Sequence, residues 1–170
     1  PFGGKKMPSE YFKSYWNQST IEHDYQLIQL RLKLEELGIA KNWIPEHVIR
    51  SMVFQKYSMR DAKNKLIPDG IFDCTILNHK MLMAFELELT LKSRDRYKNL
   101  ISQYQWKKDL HGVWYVITSA YHLKKLTEYW NAFKEYSSKV TIYFSYLDEL
   151  IKLKENELNN VSALKKQFQY

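Results

Sequence analysis

Apolar and polar positions first fall into a clear rhythm in the stretch after residue 18. Leu27, Leu30, Leu34 and Leu37 share one helical face with Ile28 beside them, while Gln26, Gln29, Lys33 and Glu36 lie mostly elsewhere. The spacing predicts a helix from Ser19 to about Leu37. Ser19 with Glu22 three residues on reads as a capping box, and Gly38 as the stop. Ile44-Pro45-Glu46 opens a short irregular or helical piece to about Ser51, and the polar, basic stretch 55–65 reads as a loop.

From Leu66 the period changes. Ile67 to Phe72 leads into a strand ending near Leu77, Asn78-His79 reads as a turn, and Met81 to Thr90 as the second strand of a hairpin. Ser93 suits the N-cap of a helix from Arg94 to about Leu110, with Tyr97, Leu100, Ile101 and Tyr104 inward and Gly112 as its stop. Val113 to Thr118 follows as a short strand. Tyr121 to Tyr136 then reads as a helix with Leu123, Leu126, Trp130 and Phe133 inward, and Val140 to Tyr146 as a strand. A charged helical tail starts at Leu147. Helices joining the later strands imply parallel crossovers beside the early hairpin, so the fold class is α/β, a mixed β-sheet flanked by helices. Residues 1–18 read as a linker or N-terminal extension, 19–146 as the domain, and 147–170 as the helical tail.

Composition narrows the partners. The chain's 170 residues suit one domain with its own core. Cys74 is the one cysteine, so an intramolecular disulfide is excluded, which suits a reducing compartment. No apolar run approaches the roughly 20 residues of a membrane helix, and there is no signal peptide, so a cytoplasmic place is expected. The opening Pro1-Phe2-Gly3-Gly4 has no initiator Met and reads as a piece cut from a longer protein. Lys and Arg number 26 against 19 Asp and Glu, a formal charge of +7 that attracts polyanions, of which DNA is the common one. The five histidines show no zinc spacing, and no Gly-rich phosphate loop exists.

The candidate chemistry sits on the second strand of the hairpin. In Phe85-Glu86-Leu87-Glu88-Leu89-Thr90-Leu91-Lys92, alternation puts Glu86, Glu88, Thr90 and Lys92 on one face if the strand runs that far. Two carboxylates about 7 Å apart at Cα repel by roughly 1 to 4 kcal/mol. A strand that tolerates them inside a sheet supplies a cation or shifts a pKa; on an edge strand they are ordinary surface charges. Asp69, after Pro68, begins the preceding strand, and the hairpin can fold it beside Glu86. Asp69, Glu86 and Glu88 together would make a hard oxygen site for Mg²⁺ or Mn²⁺. Lys92 is the candidate catalytic lysine.

Pro68-Asp69 followed by Glu86-Leu87-Glu88 resembles the PD-(D/E)xK nuclease superfamily in a Glu-x-Glu variant. A longer pattern, including His23-Asp24, Trp43-Ile44-Pro45-Glu46 and Glu86 through Lys92-Ser93 to Arg96-Tyr97 and Tyr104, resembles replication-relaxation proteins and MobC-type plasmid relaxases. That resemblance implies a restriction-endonuclease-like fold and a metal-dependent DNA endonuclease that nicks at a plasmid transfer origin. It also implies an upstream winged-helix domain and accessory mobilisation proteins. Glu88 stands where the superfamily has its lysine, which leaves that role to Lys92. Glu46 is a candidate fourth acid, or else a carboxylate favoured by a helix start. His23 and Asp24 either approach the site or simply occupy the first helical turn. Tyr97 and Tyr104 read as core rather than as nucleophiles. Lys63, Lys65, Arg94, Arg96 and Lys98 are candidate phosphate contacts, and Lys107 and Lys108 are either further phosphate contacts or a solvated helix face. Two rivals stand beside this reading: a restriction- or transposition-type endonuclease of the same fold, and a DNA-binding module whose nuclease site has decayed.

Overall fold

A computed structural model describes residues 18–62, 64–76, 79–135 and 138–153. Its elements run α1 (Gln18–Glu36), β1 (Lys41–Pro45), α2 (Glu46–Lys56), α3 (Met59–Ala62), β2 (Gly70–Ile76), β3 (His79–Glu88), α4 (Arg94–Gln105), β4 (Gly112–Ile117), α5 (Ala120–Phe133), β5 (Thr141–Tyr146) and α6 (Leu147–Lys152). The five strands form one sheet in the order β1-β2-β3-β4-β5. β1, β2 and β3 pair antiparallel, and β3, β4 and β5 pair parallel. The mixed sheet flanked by helices is therefore observed, at the level of the α/β class. β3 lies at its centre, with partners on both sides.

Both faces of the sheet are covered, because each is lined with apolar side chains that must leave water. Leu30 and Leu34 of α1 and Leu150 of α6 pack on one face against Trp43, Phe72, Met83, Phe85, Leu87, Trp114 and Val116. Tyr97, Ile101 and Tyr104 of α4, with Leu126 and Trp130 of α5, pack on the other against Ala84, Val113, Tyr115, Ile117 and Phe144. Alternation along β3 thus sends Met83, Phe85 and Leu87 toward α1 and Ala84 toward α4. Glu86 and Glu88 share the phase of Ala84. Every residue of β4 is buried, as expected of a parallel strand with helices on both sides.

Several boundaries differ from the sequence reading. α1 is already helical at Gln18, so Ser19 lies inside it rather than at the N-cap. Gly38 takes φ 68°, the left-handed conformation expected of its stop. The segment from Ile44 read as irregular or helical is helical from Glu46, as α2; a strand, β1, precedes it over Lys41–Pro45, and α2 and α3 occupy most of the stretch read as loop. β1 escapes the pattern because it is short, ends in proline, and carries a register shift between Lys41 and Ile44, with Asn42 at φ 54°. α4 stops at Gln105, and Gly112 opens β4 instead of ending the helix. Gly112 is required by crowding: a Cβ there would lie 2.6 Å from Cε2 of Tyr143 and 2.9 Å from the carbonyl oxygen of Thr141. β3 ends at Glu88, so Thr90 and Lys92 do not continue its face. Leu77 at the expected end of the first hairpin strand, Asn78 of the expected turn, Tyr136, and the tail beyond Leu153 lie outside the described residues, and His79 of that turn opens β3.

The edge strand β1 is held by Trp43, whose ring stacks on Phe72 at 5.1 Å between centroids and meets Phe85 edge-on at the same distance. Gly70 makes room for that ring, since a Cβ would lie 2.4 Å from Cζ2 of Trp43. Gly70→Ala should displace Trp43 and lower stability by about 1–3 kcal/mol in urea unfolding, the range for overpacking a core. A wild-type midpoint would contradict this packing.

Candidate active site

The C-terminal end of β3 opens between α1 on one face of the sheet and α4 on the other, with the start of α2 alongside. A cavity of about 740 Å³ fills that gap; His23, Glu46, Asp69, Glu86, Glu88, Lys92 and Arg96 are among its lining residues. Ends of adjacent strands, where covering helices part, are the common place for a ligand in an α/β sheet.

Asp69 precedes β2 and is brought beside β3 by the hairpin, whose register sets Gly70 opposite Phe85. Its Oδ2 accepts the backbone N–H of Leu87 at 2.8 Å. The Asp69 carbonyl accepts the N–H of Glu46 at 3.1 Å, which ties the β1–α2 joint to the same point. His23 reaches across from α1: its Nε2 donates to the carbonyl of Leu87 at 3.1 Å and lies 3.4 Å from Oδ2 of Asp69. The hydrogen bond to Asp69 is the main reason that the His23 pKa rises to about 9, so the ring is an imidazolium at neutral pH. His23 thus belongs to the site and not merely to a helical turn. Asp24 lies at 3.6 Å from the other ring nitrogen and is exposed.

Glu86 and Glu88 are 6% and 2% exposed, which rules out the edge-strand reading. Burial, then the charge of Asp69, pushes Glu86 up to about 8. The hydroxyl of Tyr104 on α4 donates to Oε1 of Glu86. Lys92 pairs through Nζ with Oε2 of Glu88. The expected strand parity does not deliver it there; the chain leaves the strand after Glu88, and the long lysine stem reaches back. The Tyr97 hydroxyl accepts the N–H of Lys92 at 3.1 Å and faces Glu88. Ser93 caps α4 by accepting the N–H of Arg96, which fixes the helix that carries both tyrosines.

The remaining candidates separate by position. Glu46 lines the cavity, but its carboxylate pairs with Arg50, a lining residue the sequence reading did not single out. Arg96 lines the cavity, whereas Lys65, Arg94 and Lys98 do not. Lys65 sits 4.3 Å over the Tyr57 ring and Arg94 5.0 Å over that of Phe133. Lys63 lies outside the described residues. The tyrosine hydroxyls were missed as site groups. Their signal was tyrosine rather than phenylalanine at buried helical positions, since a buried hydroxyl seeks a partner.

Among the described residues, no three His, Cys, Asp or Glu side chains are grouped so as to hold a metal ion as they stand. No helix among them is long and apolar enough to cross a membrane. Compared with family models, with curated proteins and with solved structures, the chain matches none.

Removing the Tyr104 hydroxyl leaves a buried Glu86 oxygen without its donor. Tyr104→Phe should therefore lower stability by about 1–3 kcal/mol in chemical denaturation at neutral pH. An unchanged stability would show that this hydrogen bond does not hold Glu86.

Proposed function

We propose that this chain is a divalent-metal-dependent DNA endonuclease of the PD-(D/E)xK type, acting as a nickase in plasmid mobilisation or replication relaxation. One observation carries the reading: Glu86 and Glu88 are buried on the central strand where it opens into a cavity shared with Asp69 and Lys92. Burying such a group of acids is costly unless a cation offsets their charge or a proton neutralises one of them, and the raised pKa of Glu86 marks it as the acid a cation would relieve.

The donor set suits Mg²⁺ or Mn²⁺, which need only one or two protein carboxylates, with water and substrate phosphate completing the shell. Asp69 and Glu86 would hold the ion, and Glu88 would turn to it if Lys92 moved to the substrate. Such an ion polarises a phosphate and lowers the pKa of a bound water. Lys92 would place its ammonium against the charge that develops on the phosphate under attack. Arg96 and Arg50 border the cavity and suit the flanking phosphates, a fork geometry that matches phosphate oxygens. The formal charge of +7 favours a polyanion overall. Tyr97 and Tyr104 are fully buried with strongly raised pKa values, which disfavours them as nucleophiles. A cytoplasmic setting follows from this role.

A second reading, a DNA-binding module with a decayed site, is favoured by the ion pairs themselves. His23 on Asp69 and Lys92 on Glu88 are internal cations in place of a metal. Incubation with supercoiled plasmid separates the two. Nicking should appear with Mn²⁺ and vanish with chelator. Asp69→Asn and Glu86→Gln should abolish it, and Lys92→Ala should lower turnover by on the order of 10²–10³. DNA binding without cleavage by the wild type would favour the second reading; cleavage retained in both carboxylate variants would refute the site.

A further inference from the structure

Tyr115 carries a buried group that the site as described does not use. It lies on β4 as the in-register neighbour of Glu86, and its side chain belongs to the core on the α4 side of the sheet, the side to which the two glutamates point. The residue is 1% exposed, and its hydroxyl is buried without a hydrogen-bond partner among the described residues. A buried hydroxyl left unpaired is destabilising, and a phenylalanine would fill the same space without that cost. Nothing in the packing asks for the oxygen, since the ring lies against Phe144 at 6.1 Å in an apolar layer. Burial, then the charges of Glu86 and Glu88, hold its pKa well above the ordinary value.

The two tyrosines of α4 provide the contrast. Tyr104 is bonded to Glu86, and Tyr97 is bonded at the backbone of Lys92. Tyr115 completes a set of three hydroxyls behind the glutamates, and it alone of the three has no partner among the described residues. A carboxylate has two oxygens and about four acceptor positions, so Tyr104 does not exhaust Glu86. Groups behind metal-binding carboxylates orient them, and losing one typically weakens metal binding by about 10–100-fold.

We propose that Tyr115 is a positioning residue of the carboxylate site, its hydroxyl serving as a donor to Glu86 in the cation-bound protein. On this account the metal-free protein tolerates an unpaired hydroxyl that the loaded site uses, a local conflict of the kind found at functional sites. The inference rests on the cation-binding reading given above. A role in packing alone would instead make the oxygen dispensable in both states.

The test compares wild type with Tyr115→Phe by Mn²⁺ titration calorimetry, and by chemical denaturation without metal. The expected result joins two opposite effects. Metal-free stability equals or exceeds that of wild type, because an unsatisfied group is removed. Mn²⁺ affinity falls by about 10–100-fold. A variant that binds Mn²⁺ as wild type does would overturn the role of Tyr115 alone and leave the cation site standing. Weaker binding accompanied by a loss of metal-free stability would assign Tyr115 to packing and also overturn it. A wild type that binds no Mn²⁺ would overturn both this inference and the reading beneath it.

Discussion

Two acids buried side by side on a central strand set the terms for everything around them. Burial makes charge on Glu86 costly, and the charge of Asp69, then that of Glu88, adds repulsion. The structure answers with a shell of donors and cations: Tyr104 on Glu86, Lys92 on Glu88 and His23 on Asp69. His23 comes from α1, Tyr104 from α4 and Lys92 from the connection between β3 and α4, so the acids tie α1 and α4 to the end of β3 from opposite faces of the sheet. The same end of β3 is where the cavity opens. A hydrophobic strand in this position would have been the simpler way to build a stable sheet, which is why the acids read as functional.

Most of the fold from β2 onward could be read from the sequence, because its periods are long and clean. The strand with alternating acids, the helix with Tyr97, Ile101 and Tyr104 inward, and the apolar strand before α5 are each placed within a few residues. The misses have local causes. β1 has only five residues, a proline and a bulge, so no period survives in it. Gly112 resembles a helix stop by residue type, but its role comes from crowding by Tyr143, which only the parallel pairing of β4 with β5 creates.

Legibility of the site was of a different kind. Asp69, Glu86 and Glu88 were found by spacing across a hairpin, which fixes neighbours in an antiparallel pair. Lys92 was found with the wrong geometry: the strand stops at Glu88, and side-chain reach rather than parity brings the ammonium home. His23 comes from a helix some sixty residues away in the chain, so no local pattern could assign it; its bond to the Leu87 carbonyl spans 64 positions. Of the basic residues proposed for phosphate, Arg96 faces the cavity, while Arg94 and Lys65 lie over aromatic rings. Charge in the sequence does not reveal which way a long side chain turns.

The central claim is that these buried acids form a cation site. If they do, an ion that binds the folded chain and not the unfolded one must stabilise it. Thermal unfolding with and without Mn²⁺ is the most direct measure. Wild type should melt higher with Mn²⁺, by an amount equivalent to about 2.7 kcal/mol when the ion is at about 100 times its dissociation constant. Glu86→Gln should show no such rise. A wild-type melting temperature indifferent to Mn²⁺, or an equal rise in Glu86→Gln, would contradict the account.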